Sequence, residues 1–342
     1  MARRTLHQII RDPLKPQKVS VPVEVSKREL RNPFVIPGLQ KVKIESQLNP
    51  NYNFENFVEG DSNRLARSAG MAVANKPGGT SFNPLLIYGG VGLGKTHLAH
   101  AIGVDIKDKY PDKTVLYISS EKFTQQFIDS VKSNTRNDFI HFYQMVDVLL
   151  IDDVQFLSGK TGTQDVFFHI FNHLHQNGKQ VILTSDKAPV DMQDIEQRLL
   201  SRFKWGLSAE LQLPDYETRI SILQNKLYRD GVEMAEEIVE YIAKNIKSNV
   251  RELEGVIISM IAQSSFNRRE FSLELAKQIV DKFVKMFFAK RMTKTSLASI
   301  GAQIGQRDHA TVLHACKTVD NLTETDKQFR KYVEDLTKKL TF

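Results

Sequence analysis

One cysteine, Cys316, stands among 342 residues. It excludes an internal disulfide and leaves no thiolate set for a structural zinc. No apolar run approaches the roughly twenty residues of a membrane-spanning helix, and Met1-Ala2-Arg3-Arg4 opens no secretory leader. Internal repeats and low-complexity tracts are missing too, and with a single cysteine a protein of the reducing cytoplasm is expected. What remains is ordinary for a globular chain, 41% hydrophobic and 25% charged, with length for two or three domains.

Charge is unevenly distributed. Residues 1–45 hold ten Lys/Arg against four Asp/Glu, and residues 282–342 hold twelve against six. The middle, 46–281, holds twenty-five against thirty. Attraction to a phosphate backbone is therefore expected at the two ends, although solvated basic surface would give the same counts. The first forty-five residues, with Pro13, Pro16, Pro22, Pro33 and Pro37, read as a flexible basic tether.

Residues 89–96, GGVGLGKT, fill every fixed position of the phosphate-loop pattern G-x-x-x-x-G-K-[ST]. An apolar run, Leu85 to Tyr88, precedes it and a helical stretch from His97 follows. Glycines let backbone N–H groups surround a phosphate, and the following helix aims the positive end of its dipole there. Lys95 is expected at the β- and γ-phosphates and Thr96 on Mg²⁺. A glycine-rich turn that binds nothing is the plainer alternative. A second buried run, Val148 to Ile151, ends in Asp152-Asp153, where Asp152 would serve Mg²⁺ and Asp153 the attacking water.

Further strands are expected at Thr114–Ile118 and Gln180–Thr184, with helices near Asp61–Asn75, Glu121–Asn134 and Gln164–Asn177. This alternation predicts a doubly wound parallel sheet. After Pro214 the pattern turns helical, over Asp215–Asp230, Ala235–Ile246, Val250–Ser265 and Ser272–Phe288. Thr184-Ser185-Asp186 suit either a γ-phosphate sensor or a turn. Arg198 and Arg202, four apart, share a helix face, and Arg251 opens a helix with an apolar opposite side.

In order, NYNFENFVEGDSNRLA, LLIYGGVGLGKTHLAHAIG, VLLIDDVQFLSGK, ILTSD, RLLSRFKWGL, NVRELEG and SLASIGAQIGQRDHATVLHA resemble the AAA+ ATPases and, more narrowly, the bacterial chromosomal replication initiators. The resemblance covers about residues 47–342. It implies an α/β AAA+ core at 47–213, a helical lid at 214–270, a linker helix at 271–290 and a shortened all-α helix-turn-helix domain at 291–342, after a tether at 1–46. The family binds ATP or ADP with Mg²⁺, hydrolyses ATP slowly as a switch and forms ATP-dependent homo-oligomers. Its partners are origin double-stranded DNA, single-stranded DNA and acidic phospholipids, in a cytoplasmic, nucleoid-associated setting.

Carried over by position, Gly89, Gly92, Gly94, Lys95 and Thr96 hold the triphosphate, and Val58 and Asn63 lie on the adenine side. Asp152 and Asp153 serve Mg²⁺ and water, and Arg251 senses γ-phosphate in cis. Arg202 is the finger offered to a neighbour's ATP, with Arg198 at the same interface. Ile128 and Lys160 fall at strand-contacting positions, and Gly162 stands where an arginine is common. Arg307, Asp308, His309, Ala310 and Thr311 fall on the duplex-reading turn and helix.

Two departures stand out. The family's amino-terminal domain has no counterpart beyond the tether. The basic loop before the S-L-x-x-I-G signature is also missing, because 281–285 run almost directly into 286–290. The join keeps Ile279, Val280, Phe283, Val284 and Phe287 in helical register, which predicts one continuous helix, while the loss of the basic loop predicts weaker duplex affinity. The alternative to an initiator is an initiator-like AAA+ regulator without box-specific duplex binding. A helicase-loading ATPase would lack the carboxy-terminal signature.

Overall fold

The computed structural model describes residues 44–247, 249–267, 270–293, 295–303, 312–313, 316 and 334. Within them lies a five-stranded sheet built from β1 (Leu85–Gly89), β2 (Val115–Ser119), β3 (Val148–Asp152), β4 (Gln180–Ser185) and β5 (Leu207–Leu211). Its spatial order is β2-β3-β4-β1-β5, and every pairing is parallel. β4 therefore lies between the strand that feeds the phosphate loop and the strand that ends in the acidic pair. Ligands bind such sheets beyond the carboxyl ends of the strands, where all three meet.

Strand alternation explains why these segments read as unbroken apolar runs. Leu86, Leu149, Ile151 and Leu183 face one core, with Phe123, Phe167 and Phe171. That core is covered by α3 (Ser120–Lys132), α4 (Arg136–Gln144), α5 (Thr161–Gln176) and the short α6 (Gln197–Phe203). Leu85, Ile87, Leu150 and Ile182 face the other core, under α1 (Arg64–Asn75) and α2 (Lys95–Lys109). With helices on both faces, a strand needs apolar side chains at every position.

β5 was not expected from the sequence. Its residues, LSAEL, bury Ala209 and Leu211 but expose Glu210, so an edge strand half open to solvent carries too few apolar positions to stand out. Two of the helices that flank the site begin on side-chain caps. Ser119 accepts from the Lys122 N–H for α3, and Asp215 accepts from Thr218 for α7 (Tyr216–Asp230). Gly231, with φ 66°, ends α7.

The remaining helices are α8 (Glu236–Asn245), α9 (Val250–Asn267), α10 (Leu273–Met292) and α11 (Leu297–Gln303). α7, α8, α9 and the start of α10 share a third core, including Leu223, Ile242, Val256, Met260 and Ile279. α10 runs without a break across the join at 285–286, as the helical register predicted. Its first turns, through Leu275, Ala276, Ile279 and Val280, pack into the lid.

Gly89 couples β1 to β5. Its φ is 148°, and a Cβ there would run into the Leu211 carbonyl oxygen. Gly89→Ala is expected to cost about 2–4 kcal/mol from backbone strain and forced strand separation, read as a lower midpoint in denaturant unfolding. An unchanged midpoint would show that the edge strand is free to shift.

Candidate functional site

Gly92 and Gly94 hold φ of 77° and 96°, which turn the loop back before α2 begins at Lys95. Lys95 is only 6% exposed. Its ammonium donates to the carbonyls of Gly89 at 2.8 Å and Gly90 at 2.7 Å, and pairs with Asp186 at 2.7 Å. The charge is thereby fixed inside the loop, between the ends of β1 and β4, where phosphate oxygens would enter.

Asp152, at the end of β3, collects hydroxyl donors. Thr96 Oγ1 donates to its Oδ2 at 2.9 Å, and the Tyr117 hydroxyl reaches the same oxygen at 2.7 Å. The Thr184 hydroxyl donates to Oδ1 and itself accepts from the Asp153 N–H at 2.8 Å. Thr184 therefore hydrogen-bonds both residues of the acidic pair. Burial and the Asp152 charge push the Tyr117 phenol well above its usual range, so it stays a donor.

Asp153 has a left-handed backbone, φ 57°, and its Oδ1 accepts from the Gln155 amide at 3.1 Å. Burial raises its carboxyl above the ordinary range, against the lowering effect of that hydrogen bond, and Asp152 and Asp186 raise it further. A more basic carboxylate is a better proton acceptor. Among the described residues no group of three or more His, Cys, Asp or Glu side chains could cage a metal. One hydroxyl beside one carboxylate oxygen nevertheless fits Mg²⁺, which keeps phosphate and water as its other ligands.

The lid closes one side. α9 is capped by Asn249, whose Oδ1 accepts from the Glu252 N–H at 2.9 Å. Ahead of that bond, the N–H groups of Val250 and Arg251 point at the Gly92 carbonyl, at 3.1 and 3.3 Å. A Cβ on Gly92 would lie 2.8 Å from Asn249 Oδ1 and 3.2 Å from Arg251 Cβ. Glycine is required there because the lid rests on the loop. Arg251 is thereby brought against the phosphate loop.

A cleft opens beside the loop, lined by Asn56, Phe57, Val58, Asn63, Leu93, Gly94 and His97 from the core. Ile222, Asn225, Lys226, Arg229, Val250 and Glu254 complete it from the lid. Asn63 braces this wall. Its Oδ1 accepts from the Gly60 N–H at 3.1 Å and its Nδ2 donates to the Val58 carbonyl at 2.9 Å. Both residues expected on the adenine side therefore line the cleft, with Asn63 shaping the loop that carries Val58.

His97 went unread in the sequence. It stacks on Tyr52 at 4.8 Å, and its Nε2 lies 2.7 Å from Asn56 Oδ1. Burial, partly offset by the Asn53 carbonyl, holds it down to about 4. His100 accepts from the Asn49 N–H at 3.1 Å and lies 4.0 Å from the Tyr117 ring. Two histidines three apart on the first turns of α2 thus tie the loop before α1 to the site. Their spacing on one helix face was the available signal.

The fingertip arginines differ. Arg198 is paired with Asp165 at 2.9 Å and Glu196 at 2.5 Å. Arg202 has no such carboxylate among the described residues and lies over the rings of Phe168 and Trp205. No hydrogen bond or ion pair among the described residues links either arginine to this chain's own phosphate loop. Ile128 is exposed on α3, and Gly162, in the first turn of α5, lies beside the neighbouring Phe127. Lys160 is the residue before that helix. Arg307, Asp308, His309, Ala310 and Thr311 lie outside the described residues, while nearby Val312 and Cys316 are buried.

A phosphate loop heading a parallel sheet, an acidic strand end beside it and a helical lid resting on the loop define a phosphate-loop ATPase of the AAA+ class. Residues 48–210 match the family described as the bacterial DnaA ATPase domain, and residues 235–319 the bacterial DnaA helix-turn-helix. The chain belongs to the DnaA family of bacterial chromosomal replication initiators.

It is 71% identical over 373 positions to the chromosomal replication initiator protein DnaA of Flavobacterium psychrophilum, covering 97% of this chain and 78% of that one. The aligned stretch exceeds this chain's 342 residues, so the relative holds residues inside the alignment that this chain lacks. Domain III of Thermotoga maritima DnaA is similar with a TM-score of 0.68 and 46% identity, over 70% of this chain and 100% of that one. A replication initiator DnaA bound to AMPPCP and single-stranded DNA is similar at 0.61 and 34%, over 86% and 98%. The helix-turn-helix match spans the RDHATVLHA stretch, which favours the initiator over the regulator.

His97 sets a pH dependence. An unfolded histidine takes its proton near 6.5, and folded His97 only near 4. Between those values the unfolded chain binds the proton and the folded one does not, so stability falls as pH drops through that window and is untouched by this group above it. The loss is expected to be on the order of 2–3 kcal/mol. Denaturant unfolding at pH 7.5 and 4.5 measures it, and His97→Gln should show a shallower fall than the unsubstituted chain. Equal falls would remove the assignment.

Proposed function

We propose that this chain is an ATP-dependent initiator of chromosomal replication that binds origin DNA, oligomerises in its ATP state and promotes duplex opening. The observation that carries the reading is the contact of the lid with the phosphate loop, where Val250 and Arg251 donate to Gly92. A helix N-terminus and a guanidinium at the loop make the lid's resting position depend on the phosphates held there. A γ-phosphate adds charge on that side, so ATP and ADP bias the lid differently.

In this reading Gly89, Gly92, Gly94, Lys95 and Thr96 hold the triphosphate, and Val58 and Asn63 flank the adenine. Thr96 and Asp152 would hold Mg²⁺, which supplies charge neutralisation at the β- and γ-phosphates. Asp153, with its raised carboxyl, accepts the proton of the attacking water. Arg251 contacts γ-phosphate in cis. Arg202, free of a carboxylate partner among the described residues, serves the ATP of the neighbouring protomer, with Arg198 at the same interface. Hydrolysis is slow because the site is complete only when a neighbour is present, which makes it a timer.

Single-stranded DNA runs past Ile128 and Lys160, with backbone N–H groups at the start of α5 taking the place of a basic side chain at Gly162. Arg307, Asp308, His309, Ala310 and Thr311 read duplex DNA, more weakly than in relatives that keep the basic loop. Contact with acidic phospholipids and a nucleoid-associated, cytoplasmic setting follow from the same family reading.

Lys95→Ala should lower ATP affinity by about a hundredfold or more in a filter or fluorescence titration, since it removes a buried charge. Arg202→Ala should keep ATP affinity and lose ATP-dependent assembly in sedimentation. Equal assembly by that variant would sink the finger role. Anisotropy of a labelled duplex carrying initiator boxes, against a scrambled duplex and at two salt concentrations, tests the duplex reading. Tighter binding to boxes supports a working initiator core, and Asp308→Ala should abolish the preference alone. Equal, salt-sensitive binding to both would overturn sequence reading by this chain.

A further inference from the structure

Arg202 sits in an aromatic setting that the phosphate chemistry does not require. Its guanidinium carbon lies 4.5 Å from the centre of the Trp205 ring and 5.7 Å from that of Phe168. Trp205 is 56% exposed, yet it is held from behind, because His175 stacks on it at 4.3 Å with planes 27° apart. His175 is stacked in turn on Phe171, at 6.0 Å and 12°, and Phe171 is fully buried in the core. The backbone N–H of Trp205 also donates to the Arg202 carbonyl at 3.2 Å, which fixes the short turn between them.

The polar atoms point the same way. Arg202 Nε is buried and has no hydrogen-bond partner among the described residues. Arg198, one turn away, lies over the same Phe168 ring at 4.7 Å but is neutralised by Asp165 and Glu196. Two arginines share one ring, and only Arg202 keeps an uncompensated charge among the described residues. An unanchored arginine of that length would sample many rotamers. The rings restrict it by cation–ring attraction without consuming its outer donors, as a carboxylate would.

We infer that Trp205, backed by His175 and working with Phe168, is a positioning residue that holds the Arg202 guanidinium extended toward the γ-phosphate bound by a second copy of this chain. The inference rests on the assignment of Arg202 as the finger acting in trans. Trp205 is not among the residues that line this protomer's cleft, so its effect falls on encounters between copies. It is also the single tryptophan of the chain, which makes the clamp visible by its own emission.

The test compares Trp205→Leu, Trp205→Phe and Arg202→Ala in the full chain. Sedimentation with a non-hydrolysable ATP analogue gives the concentration at which assembly is half complete, and titration of dilute chain gives nucleotide affinity. Trp205→Leu is expected to raise the assembly midpoint about tenfold, the scale of one cation–ring contact. Trp205→Phe should recover most of that loss, and nucleotide affinity should be the same in all three. Trp205→Leu assembling normally while Arg202→Ala fails would overturn the positioning role and leave the finger intact. Normal assembly by Arg202→Ala would remove the finger reading and this inference with it. Equal loss in the Leu and Phe variants would also overturn it, since a ring would then not be what matters. If Trp205→Leu does not fold, the emission of the unsubstituted chain decides. An emission spectrum of the dilute, unassembled chain that differs from that of dilute Arg202→Ala supports the clamp, and identical spectra overturn it.

Discussion

The Gly92 carbonyl accepts from the first two N–H groups of α9, and through that contact the phosphate loop and the lid are joined. Four N–H groups at a helix start have no partner inside the helix and must find one outside. Asn249 satisfies one and the loop takes two others, so the lid's polar end is at rest only against the loop. Gly92 must be glycine for two reasons at once, its positive φ and the approach of Asn249 and Arg251. The loop and the helix that carries Arg251 therefore share one contact surface.

On the opposite side of the loop, the site is rigid because its polar atoms are shared. Thr184 accepts from the backbone of one aspartate and donates to the side chain of the other. Thr96 and Tyr117 meet at a single oxygen of Asp152. Low dielectric makes such bonds strong and makes each unpaired member costly, so the set holds or fails together. The histidines of α2 extend it outward, since His100 packs on Tyr117 while His97 reaches the loop that lines the cleft.

The other end of the ATPase core works by omission. Among the described residues Arg198 is tied to carboxylates and Arg202 is not, although both lie over Phe168. The proposed action in trans needs a charge that is held in place and yet left unneutralised, and aromatic rings can do both.

Much of this was legible in the residues alone. The phosphate loop, the acidic strand end and three buried strands announce themselves because their chemistry demands fixed spacings and apolar runs, and α10 crossed the join because its helical period was intact. β5 escaped, since an edge strand with an exposed Glu210 needs no such run. The roles of Thr184, His97 and Trp205 belong to the tertiary structure. Each depends on partners brought from 32, 41 and 30 positions away, Asp152, Asn56 and His175, and no local pattern records which distant residue a side chain will meet.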